Sequence, residues 1–395
     1  MAQAKQILLL IETSRVFGRG VIEGISRYGK QHADWLFHFE DRGILEELPR
    51  WLRNWQGDGI IVRSPTRALS QALVKFHCPV VELLGDGLTT TAEVANDEYL
   101  TANDAVDHLC QQGFEHLAFY SFANSWWSDA RRDAFESIAD DRGLSAFIFP
   151  GAYKGTHQPY PVWRQAYQTP LARWLEDLPK PVGIWTAADA QAIRVLEACR
   201  QAGFRVPAEV GILGTSNENE VCGLLTPSLS SIDLNAQAVG YQAAVLLDTK
   251  MSDRSKRKRV RSRSSKFKPI LVPPAGVVAR QSTDRIAIVD PELDEAMKMI
   301  QQNAMDGITV DELAKETLLS RSTLERRFRH VLKCTPSQAI NRARIEHAKA
   351  LLRDTAWPIS KIGMKTGFNS PENFVRFFKR LVGETPRRYR HRHYA

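Results

Sequence analysis

The chain has 395 residues, 43% hydrophobic and 25% charged, with a net charge of +8, the balance of a globular protein of two or three domains and not of a disordered chain. No apolar run approaches the roughly 20 residues that span a bilayer, and the apolar stretch of MAQAKQILLLIETSR is too short for a signal peptide and is interrupted by Glu12. Five scattered cysteines without a CxxC pair exclude a disulfide scaffold or zinc ribbon and fit a reducing cytoplasm.

From the N-terminus, short apolar or β-branched runs alternate with segments of helical spacing. The expected strands are Gln6–Ile11, Trp35–Phe39, Gly59–Val62, Val80–Leu84, His116–Ser121, Gly183–Thr186, Glu209–Leu213 and Leu229–Asp233. Between them Val21–Tyr28, Ala102–Leu109, Ala188–Cys199 and Ala236–Leu247 repeat their apolar residues near every 3.6 positions. Strand–helix alternation over this length predicts a doubly wound α/β architecture in two lobes, with a ligand site beyond the carboxyl ends of the strands. Gly18-Arg19-Gly20-Val21-Ile22-Glu23-Gly24 imitates a dinucleotide fingerprint, but its glycine spacing is one residue too long and it starts too far beyond the strand. No Walker A loop, GxSxG or HExxH occurs. Catalytic residues, a metal and a cofactor are therefore not expected.

Residues 250–268 carry 10 Lys and Arg against one acidic residue and lack apolar periodicity. They read as a solvated basic loop, a contact to the DNA backbone being the other reading. PILVPPAGVVARQSTD then supplies a last extended segment, closing a domain over 1–282. A linker follows at 283–290, and Asp290-Pro291 opens a helix.

From 291 to 395 every segment reads helical, with 20 Lys and Arg against 12 Asp and Glu, whereas the body before it is acidic outside the basic loop. A basic module on an acidic body implies a polyanionic partner for that module. Ser320, Leu324, Phe328, Thr335 and Pro336 recur 50 residues later as Ser370, Phe374, Phe378, Thr385 and Pro386, so one small unit is built twice. Each unit reads as helix, turn, helix, over 308–330 and 359–381. Thr309 and Glu312 form a capping box, Ser320 and Ser370 cap the second helices, and Gly367-Phe368 makes the second turn. A helix-turn-helix lays its second helix in the major groove. The helix expected from about Pro336 to Thr355 spans roughly 30 Å, close to the roughly 34 Å between successive major-groove faces.

GFNSPENFVRFFKRLVGETPRRYR (367–390) closely resembles the signature of the AraC family of transcription regulators, and the resemblance covers about 291–395. By matched position it implies Ser322, Thr323, Glu325 and Arg326, then Glu372, Asn373 and Arg376, as groove-facing residues, with Lys379 on the same outward side. VANDEYLTANDAVDHLCQQGFEHLAFYS, GIWTAADAQAIRVLEACRQAGFRVPAEVGILGTSNEN and PSLSSIDLNAQAVGYQAAVLL resemble the effector domain of LacI-type regulators, over about 1–282. The combination resembles the xylose-operon regulators. It implies a two-lobed body like the periplasmic sugar-binding proteins plus an all-α domain with two helix-turn-helix units. It also implies ligand contacts at Arg131, Trp185, Asp189 and Asn217, with Glu12, Arg15, Phe17 and Trp127 as further candidates.

The resulting expectation is a sugar-responsive, DNA-binding regulator acting as a homodimer in the cytoplasm. It would activate genes for a pentose such as D-xylose, with operator DNA, a small sugar and RNA polymerase as partners and no membrane. A carbohydrate- or cofactor-using enzyme with a basic tail is the alternative.

Overall fold

The computed structural model describes residues 4–40, 50–63, 76–83, 92–122, 125–149, 160–256, 268–286, 290–332, 334–368, 370–382 and 384–393. The chain divides into two compact units, Met1–Leu109 with Glu115–Thr283, and Cys110–Phe114 with Asp284–Ala395.

In the first unit, β1 (Lys5–Leu10), β2 (Trp35–Glu40), β3 (Gly59–Arg63), β4 (Val80–Leu83), β5 (Ala92–Asn96) and β11 (Ile270–Val272) form one sheet in the order β11-β5-β4-β3-β1-β2. A second sheet joins β6 (His116–Tyr120), β7 (Ala146–Phe149), β8 (Val182–Thr186), β9 (Val210–Thr215), β10 (Ser230–Asp233) and β12 (Gly276–Val278) in the order β12-β10-β9-β8-β6-β7. All pairings are parallel except β10 with β12. Central strands such as GIIVR and VGIWT are buried nearly end to end, because helices cover both faces of a parallel sheet. In each sheet the order reverses beside the first strand, between β1 and β3 and between β6 and β8. These are the topological switch points where such folds leave a crevice at the carboxyl ends.

Sequence patterning missed β5 and β7. AEVAN and AFIF are four or five residues long and show no alternation, and β5 is buried throughout. Leu84, expected in β4, lies outside the described residues, as do 257–267 of the basic stretch. The rest of that stretch corrects the loop reading, since Lys250–Lys256 complete the helix that begins at Ala236.

The glycines that mimic a nucleotide fingerprint serve packing. They lie in α1 (Val16–His32), which crosses the helix Ala236–Lys256 at backbone contact. A Cβ on Gly24 would stand 2.0 Å from the Gln237 carbonyl oxygen, and one on Gly240 would stand 2.0 Å from that of Val21. Near this crossing the chain passes between the sheets. Asn96 Nδ2 donates to the Leu234 carbonyl (2.8 Å), Asp97 N–H to Val272 (2.8 Å) and Ala275 N–H to Asp233 (2.9 Å), so the three crossover segments are bonded to one another.

The second unit is helical. Helix Pro291–Asn303 is capped by Asp290, whose side chain accepts from Leu293 N–H. Val310–Glu316 and Arg321–Leu332 form the first helix-turn-helix, with Leu318 in the left-handed region (φ 54°) at the turn. Ile359–Lys365 and Pro371–Val382 form the second, turning at Gly367 (φ 78°). The helix Pro336–Asp354 serves both cores. Ala339 and Ile340 pack with Leu313, Leu324 and Phe328, while Ile345, Ala348 and Leu352 pack with Ile362, Phe374, Phe378 and Tyr389. Its 19 residues give it a length of about 28 Å.

Candidate functional site

At the first switch point, Glu12 follows β1 and Arg63 closes β3, and the two form an ion pair of 2.9 Å with side-chain exposures of 6% and 12%. Ser14 Oγ also bonds Glu12. Gly18 makes this geometry possible, because a Cβ there would collide with the Glu12 carbonyl oxygen. Phe17 lies beneath the Arg63 guanidinium, 5.1 Å from its ring centroid. Arg15 is half-buried just before α1. Burial lowers Arg63 to about 10, and the nearby charges of Arg15 and Arg131 add to this against the pull of Glu12.

At the second switch point Arg131 repeats the arrangement. It sits in the second turn of helix Trp126–Asp141. Nε and Nη2 hold both oxygens of Glu98 (2.6 and 3.0 Å), and Nη1 donates to the Ala187 carbonyl just beyond β8 (2.7 Å). Trp127 lies beneath its guanidinium at 4.9 Å, as Phe17 does beneath Arg63. Burial raises the Glu98 carboxyl above its ordinary range while Arg131 pulls it down. Each lobe thus presents a guanidinium held by a carboxylate and backed by an aromatic ring.

Three other predicted residues play different parts. Trp185 is a correction: it is fully buried, its indole N–H donates to Thr215 Oγ1 (2.8 Å), and it packs on Phe119 and Phe135. No face of it is open to a ligand, because the ring fills the core beneath the strand end. Asp189 is not an N-cap, which is Ala188. Its carboxylate accepts from Ser231 Oγ in β10 (2.6 Å), Glu218 N–H (2.9 Å) and Cys222 Sγ (3.7 Å), tying that strand to the start and body of the short helix Asn219–Leu224, and burial pushes it up to about 6. Asn217, in the left-handed region (φ 51°), gives its oxygen to Arg280 (2.9 Å).

Sequence reasoning missed Arg63 and Glu98. The available signal for Arg63 was one charge ending an otherwise apolar strand. Ser121 Oγ, Gln191 Oε1 and Asn96 Oδ1, all at carboxyl ends of strands or the first turn beyond, are buried without a partner among the described residues. Unsatisfied buried oxygens call for a donor.

In the helical unit the two reading helices repeat each other in exposure, residue for residue from Ser322 and Glu372 through His330 and Arg380. Ser320 caps the first, its Oγ accepting from Thr323 N–H (3.2 Å) and bonding Ser322 Oγ (3.0 Å). Glu325 lies between Arg321 (3.3 Å) and Arg329 (3.9 Å), and Arg321 also holds Asp311 (2.8 Å). Arg326 is exposed. In the second helix Arg376 donates to Asn373 Oδ1 (2.7 Å), while Glu372 and Lys379 are exposed. An exposed arginine at this face has the fork geometry for guanine.

A two-sheet body with crossover segments bonded together, joined to a paired helix-turn-helix module, defines a ligand-responsive transcription regulator. Residues 6–105 match the family model for the XylR N-terminal domain, 106–283 that for a periplasmic binding protein-like domain, and 313–392 that for a helix-turn-helix domain. The chain belongs to the family of the xylose operon regulatory proteins. It is 31% identical to that of Escherichia coli over 98% of this chain and 96% of the relative, and 30% identical to that of Haemophilus influenzae over 98% of each. The structure of the xylose-binding transcription activator XylR aligns over 100% of both chains at TM-score 0.60 and 29% identity. A LacI family regulator from Enterococcus faecium with bound ribose shares the fold of the body, at TM-score 0.53 and 19% identity over 70% of this chain and 98% of that one. Nothing among these relatives supports the enzyme alternative. No helix among the described residues is long and apolar enough to cross a membrane.

Proposed function

We propose that the cleft between the two switch points binds a neutral pentose such as D-xylose, and that the bound sugar controls operator binding by the two reading helices. The observation that carries this is the paired set of aromatic-backed guanidinium–carboxylate clamps beside unsatisfied buried oxygens. Hydroxyl groups both donate and accept, so a polyol can satisfy arginine donors and orphaned oxygens together, and Phe17 or Trp127 suits the C–H face of the ring. Glu12, Arg15, Trp127 and Arg131 are the proposed contacts, with Phe17 behind them. Asp189 and Asn217 hold the loops from below.

Ser322, Thr323, Glu325 and Arg326, with Glu372, Asn373, Arg376 and Lys379, are the proposed DNA contacts. The regulator acts in the cytoplasm as a homodimer and activates transcription through RNA polymerase. The relatives named for xylose operons support the pentose, and the basic helical unit supports the operator. A thermal-shift panel of pentoses and hexoses, followed by gel-shift titration of a selected operator with and without the stabilising sugar, tests the reading. A raised melting temperature with D-xylose and an altered operator affinity are expected. No stabilisation by any sugar, or stabilisation without change in DNA binding, refutes it.

A further inference from the structure

Arg63 has only 12% of its side chain exposed, yet its one hydrogen bond among the described residues runs from Nη1 to Glu12. A guanidinium carries five N–H donors, so the edge formed by Nε and Nη2 is unspent. Arg131 differs, committing Nε, Nη1 and Nη2 to Glu98 and Ala187. Nε and Nη2 of Arg63 are absent from the buried side-chain atoms that lack a partner, so this edge still reaches solvent and is open to an entering acceptor. The edge is also fixed in direction. Phe17 supports one face of the guanidinium, and Glu12 anchors the far nitrogen while itself bonded to Ser14. Arg63 closes β3 beside β1, at the strand reversal where the fold leaves its crevice.

We propose that Arg63 is a direct ligand contact whose free Nε–Nη2 edge takes two hydroxyl oxygens on neighbouring ring carbons. This rests on the reading of the cleft as a sugar site and names the chemical feature that site selects, a vicinal diol. Two parallel N–H groups match two adjacent oxygens as they match a carboxylate. A carboxylate ligand is disfavoured here, because Glu12 and Glu98 already neutralise the two guanidiniums and would repel a further anion. Arg131, with every nitrogen already bonded to Glu98 or Ala187, is a fixed wall, whereas Arg63 is the group whose bonding is completed by the ligand.

Calorimetric titration of the full-length protein with D-xylose and its 2-, 3- and 4-deoxy analogues tests this, in the wild type, in Arg63→Met and in the double variant Glu12→Gln/Arg63→Met. The double variant leaves no stranded buried carboxylate, so it keeps the test alive if the single variant folds poorly. In the wild type, removal of either hydroxyl of the contacted diol weakens binding roughly 10- to 100-fold. The variants bind D-xylose weaker by a comparable factor, yet lose nothing further for those two analogues, while an analogue altered elsewhere loses the same factor in every protein. Undiminished D-xylose affinity in the variants overturns the proposal. So does an unchanged penalty for every analogue, which marks Arg63 as a purely structural residue. A wild type that binds no pentose overturns the sugar reading itself, and the proposal with it.

Discussion

Replacing Arg344 with methionine tests whether the two helix-turn-helix units act as one rigid reader. Arg344 lies midway along the helix Pro336–Asp354, where Nε donates to the Ala304 carbonyl (3.0 Å) and Nη2 to that of Ile308 (3.3 Å). Those carbonyls belong to the approach to the first unit. The turn of the second unit meets the same point, since a Cβ on Gly367 would stand 2.9 Å from both Arg344 Nε and Ala304 O. One side chain therefore joins the connecting helix, the entry to the first reader and the turn of the second. Hydrogen bonds from a charged group contribute about 1.5–3 kcal/mol each, and methionine keeps much of the stem's packing, so a net loss of about 2–4 kcal/mol in the stability of this junction is expected. The larger consequence concerns DNA. Two readers joined by a helix about 28 Å long bind the second groove as an intramolecular event, and loosening the spacer lowers the effective concentration of the second reader. Fluorescence anisotropy on a selected full site should show a loss of about 10- to 100-fold for Arg344→Met, with each isolated half-site bound about as in the wild type. Equal losses on full and half sites would refute the rigid-spacer argument and reduce Arg344 to a local structural role.

Arg326→Ala and Arg376→Ala should each cost about 1–3 kcal/mol at the selected operator and relax base preference at one position; unchanged selection profiles would remove that residue from the reading face. Asp189 titrates near 6 in the folded chain against about 3.9 unfolded. The native state thus holds the proton more tightly, and stability falls as pH rises from about 4 through 6, by about 2–3 kcal/mol from this group. Asp189→Asn should flatten that part of the melting profile, and parallel profiles for the two proteins would contradict the burial argument. Gly24→Ala forces the Gln237 carbonyl away from a Cβ only 2.0 Å distant. It should cost about 1–3 kcal/mol, read as a melting temperature lower by several degrees despite alanine's better helix propensity.

The helical unit was the more legible part of the sequence. Its cores repeat at a fixed offset, its caps are side-chain bonds between residues three apart, and its turns require Gly367 or tolerate an exposed Leu318. All of that is local chemistry. In the body, strand and helix alternation gave the architecture, but β5 and β7 carry too few residues to show a period. The site was only half legible for a different reason. Glu12 and Arg63 are 51 positions apart, and Glu98 and Arg131 are 33 apart; only strand order brings them together. Family resemblance pointed at Trp185 because of its motif, yet that position faces the core, and a tryptophan fits there because Thr215 takes its N–H.

The two switch points explain why one ligand can bias a two-lobed body. The same strand reversal is built twice, and each copy ends in a buried arginine whose charge opposes approach of the other. A molecule that supplies oxygens to the free edge of Arg63 while packed against the Arg131 wall would favour the arrangement in which the two are near, and only such a difference in affinity between states can shift their populations. The crossover segments are where that shift must be absorbed. There Asn96 is bonded to Leu234, and the helix that follows at Ala236 is locked to α1 at backbone contact through Gly20, Gly24 and Gly240. Because α1 begins at the loop carrying Glu12, Arg15 and Phe17, that loop and the crossover at Ala236 are joined through one closely packed helix pair.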